Sequence, residues 1–170
     1  HAVHHHSEDY NLAVALRQPI LAKYFSWLFY IPILFLGVPP LVIMGSLAFN
    51  LLYQFWIHTQ LIDKMGAYEF LFNTPSHHRV HHGTNPQYID KNYGGILIIW
   101  DRLFGTFAQE NETVSYGTIK PVRSWNAIWS NLVVWKELWQ KARRQKNIWH
   151  GIIIWWMPPE WDPTQDQNED

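Results

Sequence analysis

The chain has 170 residues, 13 of them basic and 14 acidic, and its net charge of -1 gives no overall positive field that would attract nucleic acid. It contains no cysteine, which excludes disulfides, zinc–thiolate sites and cysteine nucleophiles, so any metal ion would be held by nitrogen or oxygen atoms. Charged residues make up only 16% of the chain, against roughly 25% in soluble domains, and the length is typical of one domain.

The chain opens on a histidine cluster, HAVHHHSEDYN. Its members His1, His4 and His5 stand at i, i+3 and i+4, so on a helix all three would face one way. Imidazole nitrogens suit iron, zinc or copper and disfavour calcium or magnesium. A purification-tag remnant is the competing reading, but the spacing of His1 and the residues after the cluster argue against it. Since the first residue lies inside a cluster and is not Met, we expect further residues upstream.

The next feature is a long apolar segment. The 39 residues from Tyr24 to Ile62 contain no Asp, Glu, Lys or Arg. A helix that spans a bilayer needs about 20 apolar residues, so two spans fit. Gly37 and two prolines fall near the midpoint and predict a turn, which gives a transmembrane hairpin over about residues 20–62. The alternative is a pair of buried helices in a soluble core, which a chain of this length could hardly cover.

Charges on both sides of the hairpin predict its orientation. Arg17 and Lys23 precede it, and Lys64 and Arg79 follow it, so both ends lie on one side. The positive-inside rule makes that side cytoplasmic. His58, about one turn before the end of the apolar segment, should emerge at the same face as both histidine clusters.

The second cluster is TPSHHRVHHG, in which Thr74 and Pro75 predict a helix start. It repeats the H-x-x-H-H spacing of the chain start, so His78, His81 and His82 would also share one helical face. Seven imidazoles exceed the needs of one ion, and two metal ions fit the count better. The predicted ligands are His1, His4, His5, His58, His78, His81 and His82.

Polar side chains beside the clusters are candidates to hydrogen-bond metal-bound imidazoles and fix their tautomers. These candidates are His6, Glu8, Asp9, Gln54, His77 and Asn92. For each of them, a helix cap, a loop hydrogen bond or a solvated position is an equally good reading. Arg79, which stands between the histidines, is predicted to contact a lipid phosphate or a carboxylate.

The last third of the chain carries a second kind of membrane signal. Tryptophans and leucines recur at helical spacing over about residues 124–144, and basic residues follow. This pattern predicts an amphipathic helix at the membrane interface, and it is compatible with a helix that caps the metal site. The acidic end, residues 158–170, is predicted to be disordered.

Together these motifs resemble the fatty acid hydroxylase/sterol desaturase superfamily. The resemblance rests on the two H-x-x-H-H triplets, the apolar segment between them and the run FNTPSHHRVHHGTNPQYIDKNYGGILIIWDRLFGTF, and it covers about residues 1–107. It implies an all-α integral-membrane protein with a cytoplasmic histidine-rich metal-binding cap. Residues 1–157 would form the C-terminal part of the catalytic domain, in a bacterial inner membrane or the endoplasmic reticulum.

The resemblance also implies an activity. It implies that the seven histidines hold two iron ions, which use O2 to hydroxylate a C–H bond of a lipid from the bilayer. The flanking residues are most similar to the branch that cleaves ether lipids (alkylglycerols) to an aldehyde and a glycerol derivative. The electron donor would be a pterin such as tetrahydrobiopterin, or a redox protein.

Two departures from the superfamily pattern keep alternatives open. The superfamily's H-x-x-x-H motif is expected in upstream residues. Gln54 stands where several members carry another histidine, and its side chain could bind the metal weakly, hold a water or do neither. A sterol desaturase or a fatty acid hydroxylase of the same superfamily is one alternative. A catalytically silent metal-binding membrane protein is another.

Overall fold

A computed structural model describes residues 1–122, 124, 126–157 and 161, except for the side chain of Lys23. Within these residues the regular elements are all helical, and the β-type contacts are two isolated bridges, Phe72 with Leu97 and Gly83 with Tyr116. The all-α prediction is therefore confirmed. The predicted disordered tail, residues 158–170, lies outside the described residues apart from Trp161.

The chain divides into two compact units between residues 122 and 123. The helices of the first are α1 Ala2–His5, α2 Leu12–Ala15, α3 Ala22–Phe25, α4 Ile31–Phe35, α5 Pro40–Ile57, α6 Pro75–His81 and α7 Ile99–Phe104. Those of the second are α8 Ala127–Arg144 and α9 Ile148–Ile153. Short 3-10 turns cover Ser26–Tyr30, Gly66–Phe70 and Pro86–Tyr88.

Helix α5 is long and apolar enough to cross a membrane. It has 18 residues and a mean hydropathy of 1.4. Pro40 occupies its first turn, where the missing N–H of proline costs no hydrogen bond. Of its 18 side chains only that of Ile57 is buried, so the helix presents apolar groups on every side, as a lipid-facing helix does.

The other arm of the predicted hairpin is broken into shorter pieces. Residues 22–35 form α3, a 3-10 turn and α4, and no one α-helix among them has the length of a span. Pro32 lies in the first turn of α4, which directly follows the 3-10 turn, and it has no N–H to make an i to i−4 hydrogen bond at this point. Gly37 then takes a left-handed conformation, with φ of 85°, in the turn before α5. Among the described residues the structure thus contains one span-length helix.

Helix α6 carries the second histidine cluster into the interior of the first unit. The Thr74 hydroxyl accepts a hydrogen bond from the His77 N–H, and Pro75 follows it, so the predicted helix start is confirmed. Val80, fully buried, packs with Tyr88 and Val114 on one side of α6. That apolar contact fixes the rotation of the helix about its axis.

Asp101 in α7 ties together the chain that surrounds α6. Its buried carboxylate accepts hydrogen bonds from the N–H groups of Tyr93 and Gly94 and from the Thr106 hydroxyl, each at 2.7 Å. The two oxygens therefore hold residues 93–94 and residue 106 against the same helix.

Substitution Asp101→Asn is expected to lower the free energy of unfolding by about 1–3 kcal/mol. The amide NH2 group would replace one carboxylate oxygen, so a backbone N–H that donates to that oxygen in the parent protein would lose its acceptor. The loss would be measured by denaturant unfolding in detergent micelles. Asp90→Asn is the matched control, since the exposed Asp90 carboxylate accepts a hydrogen bond from the Tyr93 hydroxyl and from no other group among the described residues. An equal loss in both variants would contradict the role given to Asp101.

The second unit is a pair of helices rich in tryptophan. Helix α8 begins after Asn126, whose side chain accepts from the Trp129 N–H at 3.0 Å. It covers Ala127–Arg144, close to the predicted 124–144, and its last turn carries Lys141, Arg143 and Arg144. Trp155, just after α9, lies 6.0 Å from the ring of Trp135 on α8.

Candidate metal centre

The seven histidines predicted as ligands come together at the ends of α1, α5 and α6, and they separate into two groups. His4, His58, His78 and His82 form a buried four-histidine group, with one ring nitrogen from each within 4.8 Å of the others. His1, His5 and His81 form a more exposed three-histidine group by the same measure. Each H-x-x-H-H triplet is split between the groups, whereas the spacing alone predicts that its members face one way.

The distances inside the groups suit one ion each. In the four-histidine group, Nε2 of His58 lies 3.0 Å from Nε2 of His4 and 3.1 Å from Nε2 of His78. In the three-histidine group, Nε2 of His1 lies 3.0 Å from that of His5 and 3.4 Å from that of His81. Imidazoles about 2.1 Å from one ion, at right or tetrahedral angles, have nitrogens roughly 3.0–3.4 Å apart.

An unpartnered nitrogen adds a second indication. Nε2 of His82, a member of the four-histidine group, is buried and has no hydrogen-bond partner among the described residues. A buried polar atom without a partner costs about 1–3 kcal/mol, so proteins keep few of them unless a ligand or ion binds there. The donor set is nitrogen alone, which fits iron, zinc or copper.

Burial keeps these imidazoles neutral. Desolvation, followed by repulsion from His58, lowers the pKa of His4 to about 4. Desolvation, followed by repulsion from His81, lowers the pKa of His5 to about 2. For His78 and His82, burial lowers the pKa well below its usual value. All four rings are neutral at pH 7, so their lone pairs are free for a metal ion.

Backbone carbonyls select the tautomer of two of the grouped histidines. Nδ1 of His58 lies 2.5 Å from the carbonyl oxygen of Gln54, and Nδ1 of His81 lies 3.2 Å from that of Lys91. A ring nitrogen that faces a carbonyl must carry the proton and donate it, which leaves the lone pair on Nε2. In both rings Nε2 is the nitrogen that faces the other histidines.

None of the side chains predicted to support the ligands hydrogen-bonds one of the seven grouped imidazoles. Glu8 and Asp9 are exposed in the turn after α1, and His6 lies in neither group. His77 is buried, but it lies one position from His78 and so on another face of α6. Its Nε2 is 3.9 Å from the Glu69 carboxylate.

Gln54 and Asn92 support the site through other atoms than predicted. Gln54 uses its backbone carbonyl towards His58. The Asn92 side chain donates to the carbonyls of His77 and Ala108, at 3.0 and 2.8 Å, and contacts no imidazole nitrogen. The Asn92 contacts depend on how separate segments meet, which local spacing does not show, and the Gln54 contact is local but uses a backbone atom.

Arg79 contacts a carboxylate, one of the two kinds of partner predicted for it. Its Nε and one terminal nitrogen donate to the two oxygens of Glu110, at 2.8 and 2.6 Å. The other terminal nitrogen donates to the carbonyls of Thr59 and Ile62, at 3.0 and 2.8 Å. Arg79 therefore fastens the chain just after His58 to α6.

Tyr10 is a residue of the site that the sequence did not single out. Its hydroxyl donates to the Ile57 carbonyl at 3.1 Å, and its ring lies 5.6 Å from the ring of His58 and 5.1 Å from that of His82. Helix α1 has only four residues, too few to be stable alone, so Tyr10 is one of the contacts that hold it. Its place directly after the opening cluster was the one available signal.

Comparison with known proteins gives a consistent result. A sequence profile of the fatty acid hydroxylase family matches residues 1–106. The chain is 51% identical to the alkylglycerol monooxygenase of Danio rerio, over 100% of the chain and 38% of the relative. It is 54% identical to that of Xenopus tropicalis, over 94% and 32%, and 48% identical to that of Homo sapiens, over 96% and 36%.

The chain spans about a third of the length of these relatives. No solved structure matches it. The matched family segment, residues 1–106, includes all seven grouped histidines.

Proposed function

The chain belongs to the fatty acid hydroxylase family, and from that premise we propose that it forms the metal-binding part of a membrane-bound, non-haem di-iron oxygenase. The observation that carries the proposal is the pairing of a four-histidine and a three-histidine group, each with one nitrogen per ring within 4.8 Å of the others. Two iron ions would supply the activation of O2 that oxidation of an unactivated C–H bond requires and that side chains cannot supply.

The chain's own residues would prepare the site for that chemistry. Four of the imidazoles are buried, which excludes water from one ion position and keeps the rings neutral. Gln54 and Lys91 hold two rings with Nε2 turned inward through their backbone carbonyls. Arg79 and Tyr10 fix the end of α5, where His58 stands.

We propose an alkylglycerol as the substrate, because the relatives that match nearly the whole chain are named alkylglycerol monooxygenases. One oxygen atom of O2 would enter the C–H bond of the ether-bearing carbon, and the other would leave as water with two electrons and two protons from the donor. The resulting hemiacetal would collapse to an aldehyde and a glycerol derivative. The donor would be a reduced pterin such as tetrahydrobiopterin, or a redox protein.

We also propose how the chain lies in the membrane. Helix α5 would form one arm of a hairpin over about residues 20–62, and the apolar pieces before it would form the other. With basic residues at both ends, the histidines would face the cytoplasm. In the second unit, exposed apolar side chains such as Ile128 and Trp139, with the basic end of α8, fit the membrane interface. Residues 1–157 would form the C-terminal part of the catalytic domain.

The test is to purify the protein from iron-replete cells, measure iron per chain, and supply an alkylglycerol, O2 and a reduced pterin. We expect about two irons per chain, as two histidine groups allow, and an O2-dependent release of fatty aldehyde. The ester analogue of the same chain length is the control and should give no aldehyde. Iron far below that level, or zinc in its place, would favour a catalytically silent metal-binding protein. A desaturated sterol or hydroxylated fatty acid, without aldehyde, would favour the other superfamily activities.

A further inference from the structure

The three-histidine group depends on a carbonyl in the loop that follows α6. His81 is the last residue of that helix, and its Nε2 lies 3.4 Å from Nε2 of His1. Its Nδ1 lies 3.2 Å from the Lys91 carbonyl oxygen, which holds the proton on Nδ1. The position of this carbonyl therefore decides whether the lone pair of His81 lies on Nε2, the nitrogen that faces His1 and His5.

The backbone on both sides of Lys91 has an unusual conformation. Asp90 and Asn92 have φ of 56° and 54°, and within the described residues they are the non-glycine residues with positive φ. Asparagine and aspartate tolerate this left-handed conformation best, but it persists only where surrounding contacts hold it. The two left-handed residues turn the chain so that the carbonyl between them points to His81.

Asn92 supplies those contacts. Its side chain is almost fully buried, donates to the carbonyls of His77 and Ala108, and accepts from the Ala108 N–H at 2.9 Å. Its own N–H donates to the Thr106 carbonyl at 3.0 Å. The His77 carbonyl belongs to α6 itself, so Asn92 fixes the Lys91 loop directly to the helix that carries His81.

Among the described residues, no imidazole nitrogen of the four-histidine group hydrogen-bonds this loop. The His58 ring is held by the Gln54 carbonyl, inside helix α5, and Nδ1 of His78 has no hydrogen-bond partner in that part of the chain. His4 reaches the group from α1. Changes in the Lys91 loop should therefore act on one group and leave the other in place.

We propose that Asn92 is a positioning residue that acts on His81 through the Lys91 carbonyl and controls metal occupancy of the three-histidine group alone. This inference rests on the proposed function, since it requires that both groups bind iron. It adds that the two ion positions are independently supported, one by helix α5 and the other by the loop at residues 90–92.

The test compares Asn92→Gly with Asn85→Gly. Glycine at residue 92 keeps the left-handed backbone free of strain but removes every side-chain bond. Asn85 is the matched control, because its side chain makes the same kind of loop clamp, to Glu112, Thr113 and Ser115, and contacts no imidazole. The readouts are iron titration of the metal-free protein and electron paramagnetic resonance of the oxidised, iron-loaded protein.

For Asn92→Gly we expect one of the two iron-binding steps to weaken by about 10- to 100-fold, the range found when a residue that supports a metal ligand is lost. The resonance signal of an isolated ferric ion should then appear, because a magnetically coupled pair is silent. Asn85→Gly should bind two irons as tightly as the parent. Asn92→Asp, which keeps the acceptor for the Ala108 N–H, is a second variant. It should weaken the same iron-binding step.

Three outcomes separate the inference from its premise. Two unchanged binding steps in both Asn92 variants would overturn the positioning role. Equal weakening of both steps, or the same loss in Asn85→Gly, would show a general structural effect and would also overturn it. A parent protein that binds no iron would contradict the proposed function itself.

Discussion

Substitution His78→Ala is expected to remove the ion of the four-histidine group and to abolish lipid oxidation. His78 is buried, and its Nε2 lies 3.1 Å from Nε2 of His58, at the centre of the group. Loss of a residue that only supports a metal ligand lowers metal affinity or activity about 10- to 100-fold, so loss of a proposed ligand should lower turnover by more than that. Iron per chain and the rate of aldehyde release would both be measured.

His77→Ala is the matched control for this experiment. His77 is the preceding residue of the same helix and is as deeply buried, so both substitutions leave a comparable cavity in α6. Its ring lies beside the Glu69 carboxylate and edge-on to Phe107, 5.3 Å away, and belongs to neither histidine group. We expect His77→Ala to lose stability but to retain iron. Equal loss of iron in both variants would contradict the assignment of His78 as a ligand.

The second large effect is expected at Arg79. Arg79→Leu would leave the Glu110 carboxylate and the carbonyls of Thr59 and Ile62 without their donors. Breaking a buried ion pair from one side costs about 3–5 kcal/mol, and Glu110 is partly exposed, so we expect a loss of about 3 kcal/mol in the free energy of unfolding. Denaturant unfolding in detergent micelles would measure it.

The double variant Arg79→Leu/Glu110→Leu tests the cause of that loss. If the single substitution is costly because it leaves a partly buried carboxylate without its donors, removal of the carboxylate should restore part of the stability. The free energy of unfolding of Arg79→Lys should lie between those of the parent and Arg79→Leu, because an ammonium group keeps the charge but cannot form the bidentate contact. A double variant less stable than Arg79→Leu would contradict this explanation.

The candidate site was largely predictable because its signal is local. The i, i+3, i+4 spacing selected six of the seven grouped histidines, the position of His58 near the end of the apolar segment selected the seventh, and Thr74 and Pro75 gave the start of α6. The division of each triplet was not predictable from spacing. His4 and His81 each join the group opposite to that of their triplet's other members, because α1 and α6 face one another and each group draws from both.

What the sequence could not reveal depends on backbone atoms and on contacts between distant segments. The carbonyls of Gln54 and Lys91 are backbone groups that any residue type would provide, and the hydroxyl of Tyr10 donates to a carbonyl 47 residues away. The apolar stretch at residues 24–62 predicted two spans, but hydropathy does not register where a proline interrupts a helix. Pro32 falls within the first arm, and the structure has a span-length helix only in the second among the described residues.

The separation of the histidines along the chain has a consequence for chain entropy. An ion shared by His4, on α1, and His58, after α5, would close a loop of about fifty residues, and a cross-link of that length restricts the unfolded chain by roughly 4 kcal/mol. The chain contains no cysteine, so bound metal would provide the kind of cross-link that a disulfide provides in other small domains. Chelation should therefore loosen α1, whose other support includes the Tyr10 contact, before it disturbs α5.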